Sequence, residues 1–380
     1  MNKKLKIFLS AILVVLMLAL CGCQNAETPE TAAPTEAPTA APTEAPTAAP
    51  TEAPTEAPTE ELPTEDLSGT EPPVEPVVYT NPLTGETMDT EGITRITAVS
   101  INNVRAALPH VGVAEADLFF EMYINDYATR GLALYHDIRD VEVVGSVRSW
   151  RYNFTDIALA YDTLAAHAGG SGEVLSDAYS NKIDHVNIDG REPSFRDKDR
   201  RSKGYATEHT LKLKGPEFYS YMAKKGIEVV QESAKTYGLN FVENGAPEAG
   251  DVANKIDITF RLDGNTKLST MTYDETLGGY IYTQYGQSAE KVKEEDREVF
   301  ENVFVILTKV SNKGVYHVAN LNGSGDGYFA CGGKIIPIKW HHENEGEPFT
   351  FTLEDGMPLY QGVGNSYIAI CPTKSTVAYE

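Results

Sequence analysis

From residue 33 to residue 59 the chain repeats Ala-Pro-Thr-Glu and Ala-Pro-Thr-Ala, with prolines at 34, 38, 42, 46, 50, 54 and 58. A proline every fourth residue removes backbone donors that a helix or a central strand needs, and the near-absence of apolar bulk leaves nothing to bury. Residues 24 to 80 hold twelve acids and no bases, so like charges keep the segment extended. At about 3.1 Å per residue in polyproline geometry, this stretch reaches on the order of 170 Å. It reads as a stalk, with a short N-terminal segment on one side and all the sequence able to fold on the other.

The N-terminal segment is an export signal. Lys3, Lys4 and Lys6 lead into an apolar run from Ile7 to Leu20, which ends in Leu20-Cys21-Gly22-Cys23. Basic, apolar, then small residues make a secretory leader, and the run is too short and wrongly flanked for a typical membrane span. Leu-x-Gly-Cys resembles the bacterial lipobox, which makes residues 1 to 22 the signal peptide and Cys23 the lipidated first residue of the mature chain. Residues 23 to 80 are then the lipidated cysteine and its linker. Acyl chains hold a protein at a bilayer by burying methylenes at about 0.8 kcal/mol each. The expected location is the extracellular face of the bacterial cell membrane, with the membrane as the first partner.

Cys21 leaves with the leader and Cys23 is acylated, so Cys331 and Cys371 remain. One potential bridge is no disulfide framework, and the pairing stays open on sequence grounds. From residue 81 onward there are 29 basic and 43 acidic residues. An acidic fold of this kind excludes nucleic acid as a partner, since that requires a basic face.

Folded sequence begins at the turn Asn81-Pro82-Leu83-Thr84-Gly85. Over residues 81 to 245, strand-like runs (96 to 101, 118 to 122, 132 to 135, 141 to 144, 164 to 168) are interspersed with helix-like stretches (152 to 161, 173 to 179, 216 to 225). Pro216 fits a first helical turn and Gly226 a stop. This alternation predicts an α/β N-terminal domain. A polar run, residues 243 to 251, marks a boundary. From 252 to 380 the apolar period becomes two, which predicts a smaller, mainly β C-terminal domain whose one helix covers residues 289 to 297.

The chemistry-bearing residues cluster between Gly145 and Gly172. Gly145-Ser146-Val147-Arg148-Ser149-Trp150-Arg151 comes after an apolar run and precedes the helix-like spacing of Phe154, Ile157, Ala158 and Tyr161. Two arginines are thereby placed at a helix N-terminus, where free N–H groups already favour an anion. His167-Ala168-Gly169-Gly170-Ser171-Gly172 repeats the device, with Ser171 as N-cap. Tandem turns of this type suggest one site at the carboxyl ends of neighbouring strands. Guanidinium forks hold phosphate or carboxylate in a bidentate way, so Arg130, Arg148, Arg151 and Arg196 are the expected anion-binding residues of an arginine-rich cleft. Asp117, His167, Ser171, Asp197 and His209 are the candidate supporting residues. The competing arrangement has the arginines paired internally with Asp117, Glu121, Asp156 or Asp197.

No catalytic residue stands out. Gly169-Gly170-Ser171-Gly172-Glu173 misses the Gly-x-Ser-x-Gly elbow at its last position, and no phosphate-binding Gly-x-x-x-x-Gly-Lys loop occurs. Gly323-Ser324-Gly325-Asp326-Gly327 reads as a flexible hairpin. His341-His342-Glu343 lacks zinc-type spacing and reads as a polar loop, so no metal site is expected.

Taken together, Asn81 to Gly85, Ala98 to Asn103, Ala116-Asp117, Thr129-Arg130, Gly145 to Ser149, His167 to Ser171, Phe195-Arg196-Asp197, Gly332-Gly333-Lys334-Ile335 with Trp340, Leu353 to Gly356 and Tyr367 to Pro372 resemble the YerB-like family of bacterial lipoproteins. The resemblance covers nearly all of residues 81 to 380 and implies two domains with no established biochemical function. The chain departs from the family pattern at Glu208-His209-Thr210, where Pro-His-Asn is usual. It departs again at Asp126-Tyr127-Ala128-Thr129-Arg130, where two glycines are lost. The order of features is also reminiscent of LytR-CpsA-Psr phosphotransferases. On that analogy Arg148 and Arg151 would neutralise phosphate, and Asp117 or Asp197 would hold a divalent metal, the one cofactor any of these readings implies. The chain is thus expected to be one of two things. The first is a module that binds an anionic envelope component, such as a cell-wall glycan, or a small anion. The second is a phosphotransferase or hydrolase acting on phosphorylated glycans or lipid-linked cell-wall precursors.

Overall fold

Three apolar runs, Thr97–Ile101 (β1), Leu118–Asn125 (β2) and Ala128–Tyr135 (β3), form the middle of the fold. β2 and β3 pair antiparallel with Asn125 opposite Ala128, and β1 pairs antiparallel to β3. Nearly every residue of the three is buried, as strands covered on both faces require. The structure is a computed structural model in which residues 78–125, 128–179 and 182–380 are described. The leader, Cys23 and the proline-rich linker lie outside the described residues. Among the described residues no helix is long and apolar enough to cross a membrane.

The chain continues through Val143–Gly145 (β4), the helix Tyr152–Ala160 (α1), Leu164–His167 (β5), the helix Gly172–Tyr179 (α2) and Asp184–Asn187 (β6). Next come Ser194–Arg196 (β7), the helix Lys198–Ser202 (α3), Leu211–Lys214 (β8) and the helix Gly215–Lys224 (α4). β5 lies parallel to β1 and β6 parallel to β5, while β4, β8 and β7 make a small antiparallel sheet. Pro216 occupies the first turn of α4 and Gly226 lies just past its end at φ +75°, as the sequence signals indicate.

The second half supplies Asp251–Val252 (β9), Lys255–Leu262 (β10), Asn265–Asp274 (β11), Gly279–Gln284 (β12) and Val299–Phe300 (β13). It continues with Asn302–Thr308 (β14), Gly323–Cys331 (β15), Lys334–His342 (β16), Thr350–Thr352 (β17), Ser366–Pro372 (β18) and Thr376–Tyr379 (β19). One eleven-stranded sheet then runs through both halves in the order β9-β16-β15-β14-β18-β2-β3-β1-β5-β6, with β17 added on β16. The join is β18, which is parallel to β14 on one side and to β2 on the other. A second, antiparallel sheet has the order β13-β12-β11-β10-β19.

Two cores result, one on each face of the long sheet. On the first face, Phe119 of β2 meets Tyr282, Phe300 and Tyr367, so the second sheet packs against the first through aromatic rings. On the opposite face, Leu118, Phe120, Met122, Leu132 and Leu134 lie in one cluster with Trp150, Phe154, Ile157 and Ala158 of the segment leading into α1.

The expected α/β N-terminal domain followed by a smaller β domain is therefore corrected. The protein is mostly β, with four α-helices among the described residues, and there is no α/β N-terminal domain. The local elements were legible, but alternating strands and helices do not fix how strands pair. Only two residues separate β2 from β3 in the chain, which allows antiparallel pairing alone, whereas a parallel sheet needs a crossover at each step. Three smaller expectations also change. Residues 289 to 297 form two short 3-10 turns, Ala289–Lys291 and Glu294–Asp296, because none of their side chains is buried to hold a longer helix. Gly323 to Gly327 is strand rather than flexible hairpin, and a Cβ on Gly325 would come within 2.8 Å of the Trp340 indole. His341 and His342 end β16 instead of forming a loop. Cys331 and Cys371 are buried free thiols.

Candidate functional site

The segment Ser146 to Trp150 is threaded between the carboxyl ends of β1 and β5. The Arg148 N–H donates to Ser100 O, the Ala168 N–H donates to Arg148 O, and the Trp150 N–H donates to Gly169 O. This ladder fixes the chain that carries Arg148 and makes Arg151 the N-cap residue of α1. Trp150 anchors it from below: the ring is fully buried, edge-on to Phe154, with its N–H donating to Thr155 Oγ1. Gly145 is needed at the entry, with φ +154° and Leu211 O only 2.8 Å from where a Cβ would lie.

Three of the four expected arginines come together on this frame. Arg130 of β3 stands opposite Met122, on the face that carries α1. Its Nη1 donates to Ser149 O at 3.3 Å, and Arg151 Nη1 donates to the same oxygen at 3.4 Å and to Trp150 O at 2.8 Å. Ser100 Oγ is a third donor to that oxygen. Arg148 reaches Glu208 Oε1 at 3.4 Å from a side chain one-third exposed. Arg151 also lies over the Tyr316 ring, 5.2 Å from its centroid.

The electrostatics of the cluster are unusual. Arg130 is 4% exposed, and among the described residues no carboxylate pairs with it. Its Nε and the Nε of Arg151 are buried without a hydrogen-bond partner. Burial, and after it the charges of Arg151 and Arg148, hold the Arg130 guanidinium well below the usual arginine range. Burial and Arg148 act on Arg151 in the same direction, although Tyr316 opposes them. Like charges gathered in a dry place with donors unfilled form a ready acceptor for an anion.

Arg196 is not part of the cluster. It lies on β7, donating to Thr207 O at 2.7 Å and pairing with Asp189 at 2.5 Å. Asp197 caps α3 through the Arg200 N–H and lies 3.8 Å from Lys212. Asp117 sits just before β2, about five residues or roughly 17 Å along the strand from Met122, the partner of Arg130. It accepts from Asn81 Nδ2 and the His136 N–H, each at 2.6 Å, while burial pushes it up to about 6. His209 is at the rim, its Nδ1 2.9 Å from Asn102 Nδ2 and its neighbour Glu208 paired with Arg148. His167 lies beneath Trp150, with Nδ1 3.0 Å from Gly169 O and Nε2 3.3 Å from His185 Nδ1. Burial pushes both imidazoles down to about 4. Ser171 Oγ accepts from the Val174 N–H, the expected cap of α2. Among the described residues no cluster of histidine, cysteine or carboxylate side chains could hold a metal ion.

Sequence reasoning missed a second polar cluster on the opposite face of the sheet. Glu121 and Lys267 form an ion pair with both side chains at 0% exposure. A signal was present: Glu121 is the one charged residue in the strand Leu-Phe-Phe-Glu-Met-Tyr-Ile-Asn, and a charge in such a run needs a buried partner.

Comparison with known proteins gives the family but no activity. Residues 83–228 match the N-terminal domain, and residues 256–368 the C-terminal domain, of a protein family of unknown function, DUF3048. The Bacillus subtilis (strain 168) protein named "Putative lipoprotein YerB" is 26% identical over 309 residues, covering 77% of this chain and 86% of its own length. The crystal structure of the YerB protein from Bacillus subtilis superposes with a TM-score of 0.66 at 22% identity, over 79% of this chain and 99% of that one. In fold and in sequence, the chain belongs to the two-domain DUF3048 family.

Proposed function

We propose that the protein is an exported lipoprotein, held on the extracellular face of the cell membrane by an acylated Cys23. Its folded part is carried on the proline-rich stalk and binds a phosphate-bearing envelope component, or a small anion, at Arg130, Arg148 and Arg151. The relative named as a lipoprotein supports the anchored, exported part of this reading. The observation that carries the binding part is Arg130, a buried guanidinium with two arginines beside it and, among the described residues, no carboxylate paired with it. A buried charge without a counter-charge is costly, and the site becomes favourable when an anion supplies one. Binding without turnover is the simpler reading, since Asp117 and Asp197 are both engaged elsewhere.

Calorimetric titration with phosphate, pyrophosphate and a soluble polyprenyl-phosphate mimic tests it. The expected result is binding that Arg148→Ala weakens by at least tenfold while the variant stays folded. Equal affinity in the variant, or no binding of any of the three anions, contradicts the assignment. For the anchor, Cys23→Ala is expected to shift the protein from the membrane fraction to the medium, and retention at the membrane counts against acylation at that residue.

A further inference from the structure

The buried cluster around Glu121 has a composition that an ion pair alone does not require. Lys267 of β11 donates to Glu121 Oε1 at 2.5 Å, and Asn103, just beyond β1, donates to the same oxygen from Nδ2 at 3.0 Å. The two nitrogens also share the hydroxyl of Tyr282, at 3.2 Å from Lys267 Nζ and 3.4 Å from Asn103 Nδ2. The other carboxylate oxygen accepts from Tyr282 at 2.6 Å and from Tyr367 at 2.6 Å. The amide oxygen of Asn103 accepts from Gln284 Nε2 at 2.7 Å. Asn103, Glu121 and Lys267 are all sealed from water.

We propose that Lys267, Asn103 and Glu121 are the reactants of a self-catalysed cross-link, an isopeptide bond between Lys267 Nζ and Asn103 Cγ. An amine, an amide and a carboxylate touching both of their nitrogens are the parts such a reaction needs, held by two sheets and a buried loop. Proximity of this kind replaces an external catalyst. Burial moves the Lys267 ammonium down toward its neutral, nucleophilic form despite Glu121, while the Glu121 carboxyl, which burial pushes up, is held below its usual range by Lys267, Thr129 and Tyr282 and so stays an ionised base. Glu121 takes the ammonium proton from Nζ, and the freed amine attacks Cγ. The developing charge on Oδ1 is met by the Gln284 N–H, which already points at that atom. Glu121 then passes that proton to Nδ2 and takes the second one from Nζ, the Cγ–Nδ2 bond breaks, ammonia leaves, and Glu121 is left protonated. One amide nitrogen replaces another, so no oxidant, metal or activating group is consumed. The product ties the second sheet to the end of β1 covalently, a form of stabilisation suited to a protein outside the cell with no disulfide between its two buried thiols.

Peptide mapping of the purified wild-type protein by mass spectrometry tests this. The expected finding is a branched peptide joining the Asn103 and Lys267 segments, lighter by one ammonia than the two separate peptides together. A single chain with faster mobility in denaturing electrophoresis than Lys267→Arg is expected alongside it. Glu121→Gln is expected to yield the two peptides unlinked. Unlinked Asn103 and Lys267 peptides from the wild-type protein overturn the proposal whether or not the variants fold. So does a cross-link that persists in Lys267→Arg.

Discussion

At the scale of single residues, the protein handles two buried charges in different ways. Lys267 has a carboxylate at 2.5 Å and further oxygen partners around it, so its burial is compensated within the fold. Arg130 donates to one carbonyl and faces two other arginines, and among the described residues no carboxylate pairs with it. The histidines behind the site respond to pH with a definite sign. His167 and His185 are both pushed down to about 4 from 6.5, so the folded state binds fewer protons than the unfolded chain between those values. Their contribution is therefore intact above about 6.5 and declines as the pH falls toward 4. Asp117, pushed up to about 6, runs the other way, since its protonation favours the folded state. Chemical denaturation at a series of pH values is expected to show His167→Gln losing less stability than wild type on acidification from 7 to about 4.5. The expected difference is on the order of 1–3 kcal/mol. Identical slopes in the two proteins contradict the assignment of a neutral, buried His167.

At the scale of elements, the site depends on the threading of residues 145 to 151 between β1 and β5 rather than on α1 itself. Gly145→Ala is expected to destabilise by about 1–3 kcal/mol, because the new Cβ meets Leu211 O while the backbone holds a φ that L side chains avoid. The same variant is expected to weaken anion binding, since Arg148 hangs on that segment. A stable variant with unchanged affinity counts against this coupling. The segment is also where sequence and structure agree best. Two arginines three apart before a helical pattern, with a glycine-rich turn after it, mark the ends of β4 and β5, but these two strands lie in different sheets and the neighbour of β5 is β1. The fold class was not legible in the same way, because helix and strand spacings report local periodicity, whereas the order of strands depends on partners far away in the chain. β18 is the example: its apolar run reads as a strand, yet nothing local says that it inserts beside β2, some 250 residues earlier. Arg196 shows the limit for single residues, since its Asp189 partner is reached only through the bend between β6 and β7. The Glu121 cluster shows the reverse case, a lone charge in an apolar strand whose meaning appears once Lys267 is brought over it by the second sheet.

At the scale of the molecule, one sheet has two unlike faces. Beneath the second sheet it closes over Glu121, Lys267 and Asn103; on the other side, beside α1, it gathers Arg130, Arg148 and Arg151, of which only Arg148 pairs with a carboxylate, Glu208, among the described residues. Each face carries a buried core, and the one beside α1 also gathers positive charge in an acidic protein. The unfolding free energy of wild type and Arg130→Met, with and without pyrophosphate, tests most directly the proposal that this charge is held for an anion. Without anion, the variant is expected to be more stable by on the order of 1–2 kcal/mol, because an uncompensated buried charge has been replaced by an apolar side chain. At a hundred times its dissociation constant, pyrophosphate is expected to stabilise the wild type by about 2.7 kcal/mol and to leave the variant unchanged. A variant several kcal/mol less stable than a wild type that gains nothing from pyrophosphate would contradict the account, and would make Arg130 a structural arginine.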